Sequence, residues 1–239
     1  MFQTPSKKER RTNAGGDSTN NFILFDCLTN ETPVPKSIEA VKLPYSTSPD
    51  TFCCVVDNVL SHEECKSIVQ KAEDVGFSQA LLNVGGGRQI LATDIRNSDR
   101  TMVDDKVFAE ILFNRIRHLL PTSRASENAP PNTLKGLNER LRILRYKPGH
   151  DFKPHMDGCY VSPDGNEQSF LTVMLYLNEG FEGGSTLFHS MDERASVAVV
   201  PKPGKVLVFD HRLYHEGQII QKGTKYALRT DVMYRIDRE

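Results

Sequence analysis

Leu141-Arg142-Ile143-Leu144-Arg145-Tyr146-Lys147-Pro148-Gly149-His150-Asp151-Phe152-Lys153-Pro154-His155-Met156-Asp157 reads as two short strands, Leu141–Tyr146 and Phe152–Asp157, on either side of a Pro-Gly turn. The same rhythm continues to the end of the chain. Phe170–Leu177, Val197–Val200, Lys205–Phe209, Gly217–Ile220 and Tyr226–Tyr234 are further predicted strands, punctuated by Pro163-Asp164-Gly165, Gly183-Gly184 and Pro203-Gly204. Many short strands at this spacing argue for a mainly β sandwich or jelly roll.

Upstream the pattern is different. Phe52-Cys53-Cys54-Val55-Val56 reads as a strand, and Ser61-His62-Glu63-Glu64 then has the form of a capping box. Cys65, Ile68, Val69, Ala72 and Val75 follow on one helical face, and Gly76 stops the helix. A second helix is expected from about Asp104 to Leu120, with Phe108, Ile111, Leu112, Ile116 and Leu119 inward and Pro121 at its end. Residues 122–137 are polar and Pro-rich and read as a loop. The helices precede the strands, so they are expected to buttress one sheet.

The chain has 239 residues, 38% apolar and 26% charged, with 30 basic and 31 acidic side chains. One domain with a tail fits this size: residues 1–35 as a disordered or loosely docked tail, and 36–239 as one domain, with helical support over about 52–121 and a β core over about 140–236. Within the tail, the apolar island Phe22-Ile23-Leu24-Phe25 is a docking point, and Lys7-Lys8-Glu9-Arg10-Arg11 reads as a solvated run or a nuclear import signal. A net charge of -1 excludes a global basic field for nucleic acid, and no apolar run is long enough to span a bilayer. The N-terminus has no secretory signal pattern, and the five cysteines, Cys27, Cys53, Cys54, Cys65 and Cys159, contain no CxxC pair. Reduced thiols in a cytoplasmic or nuclear compartment are the expectation.

The chemistry begins at His155-Met156-Asp157. On a strand, residues i and i+2 share a face, so an imidazole and a carboxylate stand side by side. Alone the pair is weak, since about half such a pair arises by chance in a chain of this composition. A second imidazole, His215, lies in Leu213-Tyr214-His215-Glu216-Gly217. Two His and one carboxylate are the facial triad of non-haem Fe(II) sites, which leave three positions open for a bidentate co-substrate and dioxygen. Lys225, ten residues past His215, is the expected cation for a co-substrate carboxylate, returned to the cavity by an antiparallel hairpin. Arg229 shares its strand face and is the rival. His150, His189 and His211 read as satisfied or exposed histidines, with His211 the nearest decoy.

The ordered motifs Arg145-Tyr146-Lys147-Pro148-Gly149, Phe152-Lys153-Pro154-His155-Met156-Asp157, Leu175-Tyr176-Leu177-Asn178, Glu182-Gly183-Gly184-Ser185-Thr186-Leu187-Phe188, His215-Glu216-Gly217 and Gly223-Thr224-Lys225-Tyr226 resemble the prolyl 4-hydroxylase family of Fe(II)/2-oxoglutarate dioxygenases. The resemblance covers about 52–235. It implies a double-stranded β-helix, a cupin-like jelly roll, with His155, Asp157 and His215 as catalytic iron ligands. It implies Lys225 as partner of the distal carboxylate of 2-oxoglutarate, Tyr176 as a second donor to that carboxylate, and Tyr146 and Thr172 as further pocket positions. It also implies hydroxylation of a C–H bond with succinate and carbon dioxide as co-products, and ascorbate as the reductant. The expected substrate is a peptidyl proline or another protein side chain, with dioxygen consumed and neither membrane nor nucleic acid as partner. Three alternatives stand beside it: a small-molecule hydroxylase, a binding module with a vestigial site, and a zinc hydrolase, which would leave Lys225 unexplained.

Two polar segments remain. Arg96-Asn97-Ser98-Asp99-Arg100 is either a solvated loop or, through Arg96 and Arg100, the rim of a substrate cleft. Gly85-Gly86-Gly87 lacks the Lys-Ser/Thr sequel of a phosphate loop and reads as a mobile loop over the cleft.

Overall fold

The computed structural model describes residues 22–29, 33–35, 38–45, 47–83, 89–124 and 131–236. The basic run at 7–11 and the triple glycine at 85–87 lie outside them. The principal strands are β1 (Cys53–Val56), β2 (Arg96–Asn97), β3 (Asp99–Asp104), β4 (Asn132–Leu137), β5 (Arg140–Tyr146), β6 (Asp151–His155), β7 (Glu167–Tyr176), β8 (Thr186–His189), β9 (Ser196–Val199), β10 (Val206–Asp210), β11 (His215–Gly217) and β12 (Lys225–Arg235). Two helices precede the core: α1 (His62–Val75) and α2 (Lys106–Ile116).

The larger sheet runs β1-β10-β7-β12-β5-β3, extended at its ends by the two-residue strands Glu39–Ala40 and Ser78–Gln79. The smaller sheet runs β9-β8-β11-β6-β2. From β5 onward the chain passes repeatedly from one sheet to the other, and every strand pair is antiparallel. This is the jelly roll that the strand spacing predicts. β12 is its spine. It pairs with β7 along one side, and on the other with β5 over its first half and β4 over its second.

Both faces of the larger sheet are covered, which is why its strands carry few exposed residues. On the outer face, Val173, Leu175, Leu228 and Val232 pack against Cys65, Ile68, Phe108 and Leu112 of the two helices. The expected capping box is present: the Glu64 N–H donates to Ser61 Oγ (3.1 Å) and the Ser61 N–H to Glu64 Oε2 (2.8 Å). Glu64 is also buried against Arg115 of α2 at 2.8 Å, so one carboxylate caps one helix and ties it to the other. Leu24 is buried in the same core, with its N–H on Asp105, the N-cap of α2.

Several boundaries differ from expectation. Residues 132–137 form β4 rather than loop, because β12 is long enough to offer them a partner edge. Arg96–Asn97 and Asp99–Asp104 are strands with Arg96, Ser98 and Arg100 buried, not a solvated loop. The expected strand Gly217–Ile220 is two pieces, His215–Gly217 and Ile220–Lys222, in different sheets. Lys225 therefore does not return by a hairpin on β11; the chain crosses to the larger sheet, where Lys225 pairs with Tyr146. The second helix is shorter than predicted and ends in a 3-10 turn, Arg117–Leu119. All five cysteines are free, and only Cys159 is exposed.

Candidate metal and co-substrate site

His155 closes β6 and His215 opens β11. The two are direct partners across the smaller sheet, next to a bulge between Phe152 and His155. Asp157 lies just beyond the end of β6 rather than within it, and its N–H donates to the His211 carbonyl (2.8 Å). That bond turns the carboxylate back between the imidazoles. One ligand atom from each of the three residues lies within 4.8 Å of the others.

The donor set fits a metal. His155 Nδ1 sits 2.7 Å from the Lys153 carbonyl and His215 Nδ1 2.8 Å from the Leu213 carbonyl. Those contacts require N–H at Nδ1 and leave both Nε2 lone pairs facing Asp157. Burial pushes the His215 imidazole down to about 4, so it stays neutral and able to ligate near pH 7. Burial alone would raise the Asp157 carboxyl, but the Arg229 guanidinium beside it holds it well below the usual carboxylate range. Asp157 Oδ2 accepts from Thr172 Oγ1 (2.6 Å) and Oδ1 from Arg229 (2.9 Å). A carboxylate has about four lone-pair directions, so both oxygens keep one for a metal.

Lys225 enters from the opposite sheet. It is 5% exposed, and its Nζ donates to the Gly184 carbonyl at 2.6 Å. Gly184 has φ +71°, and a Cβ there would press on Ile220 and on the lysine stem itself, so the small residue is what brings this carbonyl to the ammonium. The rings of Tyr146 and Tyr176 lie 5.4 and 5.5 Å from Nζ. No carboxylate pairs with Lys225 among the described residues, and burial pushes its pKa down to about 8. A buried ammonium with one carbonyl and two ring faces is poorly compensated unless an anion joins it.

The remaining expected residues divide. Tyr146 and Arg229 line the cavity with the triad and Lys225. Arg229 faces it but is engaged with Asp157, and Asp231 pairs with Arg142 (3.2 Å) and Arg229 (3.5 Å), not with Lys225. Tyr176 and Thr172 both point to the cavity side of β7 and are fully buried. The Tyr176 hydroxyl is bound to Thr186 Oγ1 (2.8 Å), and it is Thr186 that reaches the cavity. Thr172 stands between Asp157 and His211 (Oγ1 to Nδ1, 2.9 Å), and His211 Nε2 meets Ser169 Oγ (2.9 Å). His211 is thus a satisfied histidine, as expected, but one whose hydrogen bonds lead to a triad member. Its spacing gave no hint of this, because Thr172 comes from the neighbouring strand β7, far away in sequence.

Phe152 was not singled out in sequence. Its ring stacks on His155 at 3.5 Å between centroids, and Arg96 lies over the same ring at 4.9 Å. Arg100 is turned away, with Nη2 donating to Gln89.

The jelly roll thus sets two imidazoles and a carboxylate on one sheet and a buried cation facing them from the other. Residues 141–230 match the model of the 2OG-Fe(II) oxygenase superfamily. A protein of Acanthamoeba polyphaga mimivirus provisionally named a prolyl 4-hydroxylase is 27% identical over 166 residues, covering 65% of this chain and 59% of that protein. An Arabidopsis thaliana protein provisionally named prolyl 4-hydroxylase 8 is 26% identical over 204 residues, 72% of this chain and 65% of its own length. The chain thus spans somewhat under two thirds of these relatives. Among solved structures, a Trichoplax adhaerens prolyl hydroxylase in complex with a hypoxia inducible factor peptide fragment shares the fold, with a TM-score of 0.55 at 18% identity over 77% of this chain and 83% of that one. The chain is prolyl 4-hydroxylase-like in sequence and in fold. No helix among the described residues is long and apolar enough to cross a membrane.

Proposed function

We propose that this protein is an Fe(II)- and 2-oxoglutarate-dependent dioxygenase that hydroxylates a C–H bond of a peptidyl proline or another protein side chain, releasing succinate and carbon dioxide, with ascorbate as reductant. The observation that carries the reading is the pairing of the His155–Asp157–His215 triad with a buried lysine that lacks a carboxylate, in one cavity. His155, Asp157 and His215 would hold the metal, which supplies dioxygen activation once the co-substrate is bound. Lys225 supplies a fixed positive charge for the distal carboxylate of 2-oxoglutarate. Thr186, oriented by the Tyr176 hydroxyl, offers a neutral hydrogen bond beside it. Tyr146, Met174 and Leu144 form the apolar part of the wall and limit access of water. Leu175 faces the helices and takes no part. The peptidyl substrate is supported by the prolyl hydroxylase names of the relatives.

The test is anaerobic addition of Fe(II) and 2-oxoglutarate, followed by the visible charge-transfer band of the chelate. Wild type develops the band, and His155→Ala does not. A folded, metal-loaded wild type without a band contradicts the reading.

A further inference from the structure

The cavity wall carries more positive charge than the proposed cofactor and co-substrate can use. Its cations are Lys225, Arg229 and Arg96, and its acids are Asp157 and Glu216. A divalent metal on Asp157 leaves one positive charge, and a 2-oxoglutarate dianion beside Lys225 brings the group to neutrality. With Asp157 spent on the metal, Arg229 keeps Asp231, which it shares with Arg142. Glu216 turns toward His189 (3.4 Å). Arg96 is left over.

Arg96 is 7% exposed, and burial pushes its pKa down to about 10, which leaves it charged at neutral pH. Of its five N–H groups only Nε–H has a protein acceptor among the described residues, the Ser98 hydroxyl at 3.2 Å. The guanidinium lies over the Phe152 ring, which in turn stacks on His155, so cation, ring and imidazole form three layers at the cavity wall. The ring face offers electrostatic attraction but no acceptor for the terminal N–H groups. β2 fixes this placement, because Arg96 pairs directly with Phe152 of β6. A planar fork with open donors suits a carboxylate bound by two parallel hydrogen bonds.

We propose that Arg96 receives a carboxylate of the primary substrate, so that the molecule hydroxylated is an acid at or next to the reacting residue. This rests on the dioxygenase reading above and narrows its substrate class. The carboxylate belongs either to a small imino or amino acid or to an acidic side chain flanking the target residue in a peptide.

The experiment uses the full chain loaded anaerobically with Fe(II) and 2-oxoglutarate, with the chelate band recorded in every sample. Two matched pairs are titrated calorimetrically: N-acetyl-L-proline against its amide, and acetyl-Glu-Pro-Glu-amide against acetyl-Gln-Pro-Gln-amide. In at least one pair the acid binds on the order of tenfold more tightly than its neutral twin. The responding pair tells the small acid from the peptide. Arg96→Gln removes the preference and keeps the band, whereas Arg96→Lys retains part of the preference. Acids no better than amides in both pairs, including a response to none of the four probes, overturn the inference, as does a preference that survives in Arg96→Gln. The wild-type comparison decides even if Arg96→Gln does not fold. A missing band in wild type overturns the dioxygenase reading instead, and this inference with it.

Discussion

The two faces of β12 make opposite use of one alternating sequence. Leu228 and Val232 point to the helices and are fully buried among aliphatic side chains. Lys225, Arg229 and Asp231 point the other way: Lys225 is buried without a carboxylate partner, and the partly buried Arg229 and the buried Asp231 are paired. The first face follows from burying apolar area, which stabilises by about 25 cal/mol per Å². The second cannot be explained that way, since each buried charge costs several kcal/mol unless it is paired. The helix face therefore holds the fold, and the cavity face is retained at the expense of stability for what binds there.

The contrast is most strongly tested by Leu228→Ala. It should destabilise by about 2–5 kcal/mol while leaving 2-oxoglutarate affinity within a factor of about two. Urea unfolding and co-substrate titration on the same sample check this; a large loss of affinity would show that the faces are not separable. Next in size is Thr172→Val, which removes the hydroxyl between Asp157 and His211 while keeping its volume. Affinity for Mn(II), read by electron paramagnetic resonance, should fall about 10- to 100-fold, with Thr172→Ser restoring most of it. Smallest is a pH effect on Lys225. Its pKa in the folded, ligand-free protein is about 8. Below that it is charged and ready for a carboxylate. As pH rises above it, binding must recruit a proton, so 2-oxoglutarate affinity should fall toward a limit of about tenfold per pH unit. A flat profile between pH 8 and 9.5 would show that another cation receives the co-substrate.

The apolar face was the legible one. Heptad-like spacing marked α1 and its cap, and alternation marked β5, β7 and β12 to within a few residues. The triad was legible because i and i+2 on a strand share a side, and that holds even though Asp157 lies just past the strand end. Hydrogen-bond partners were not legible. Alternation puts Thr172 and Tyr176 on the cavity side, but only Asp157, His211 and Thr186, brought from elsewhere in the chain, decide what the two hydroxyls bind. Arg96 and Arg100 look alike in a polar segment, and the register of β2 on β6 places only the first on the cavity. β4 has almost no strand signal of its own, since its pairing comes from the far half of β12.

The central claim, that the cavity face gives up stability for binding, is tested most directly by Lys225→Met. The lysine pKa of about 8 lies below its unfolded value of 10.5, so the unfolded chain binds more protons between these values. Wild-type ligand-free stability should accordingly rise with pH across that window and carry a cost of about 3 kcal/mol below it. Denaturation at pH 7 should find ligand-free Lys225→Met more stable than wild type, without the rise above pH 8, and unable to form the Fe(II)–2-oxoglutarate chelate at co-substrate concentrations that saturate wild type. A variant that is less stable than wild type and binds 2-oxoglutarate normally would contradict the account.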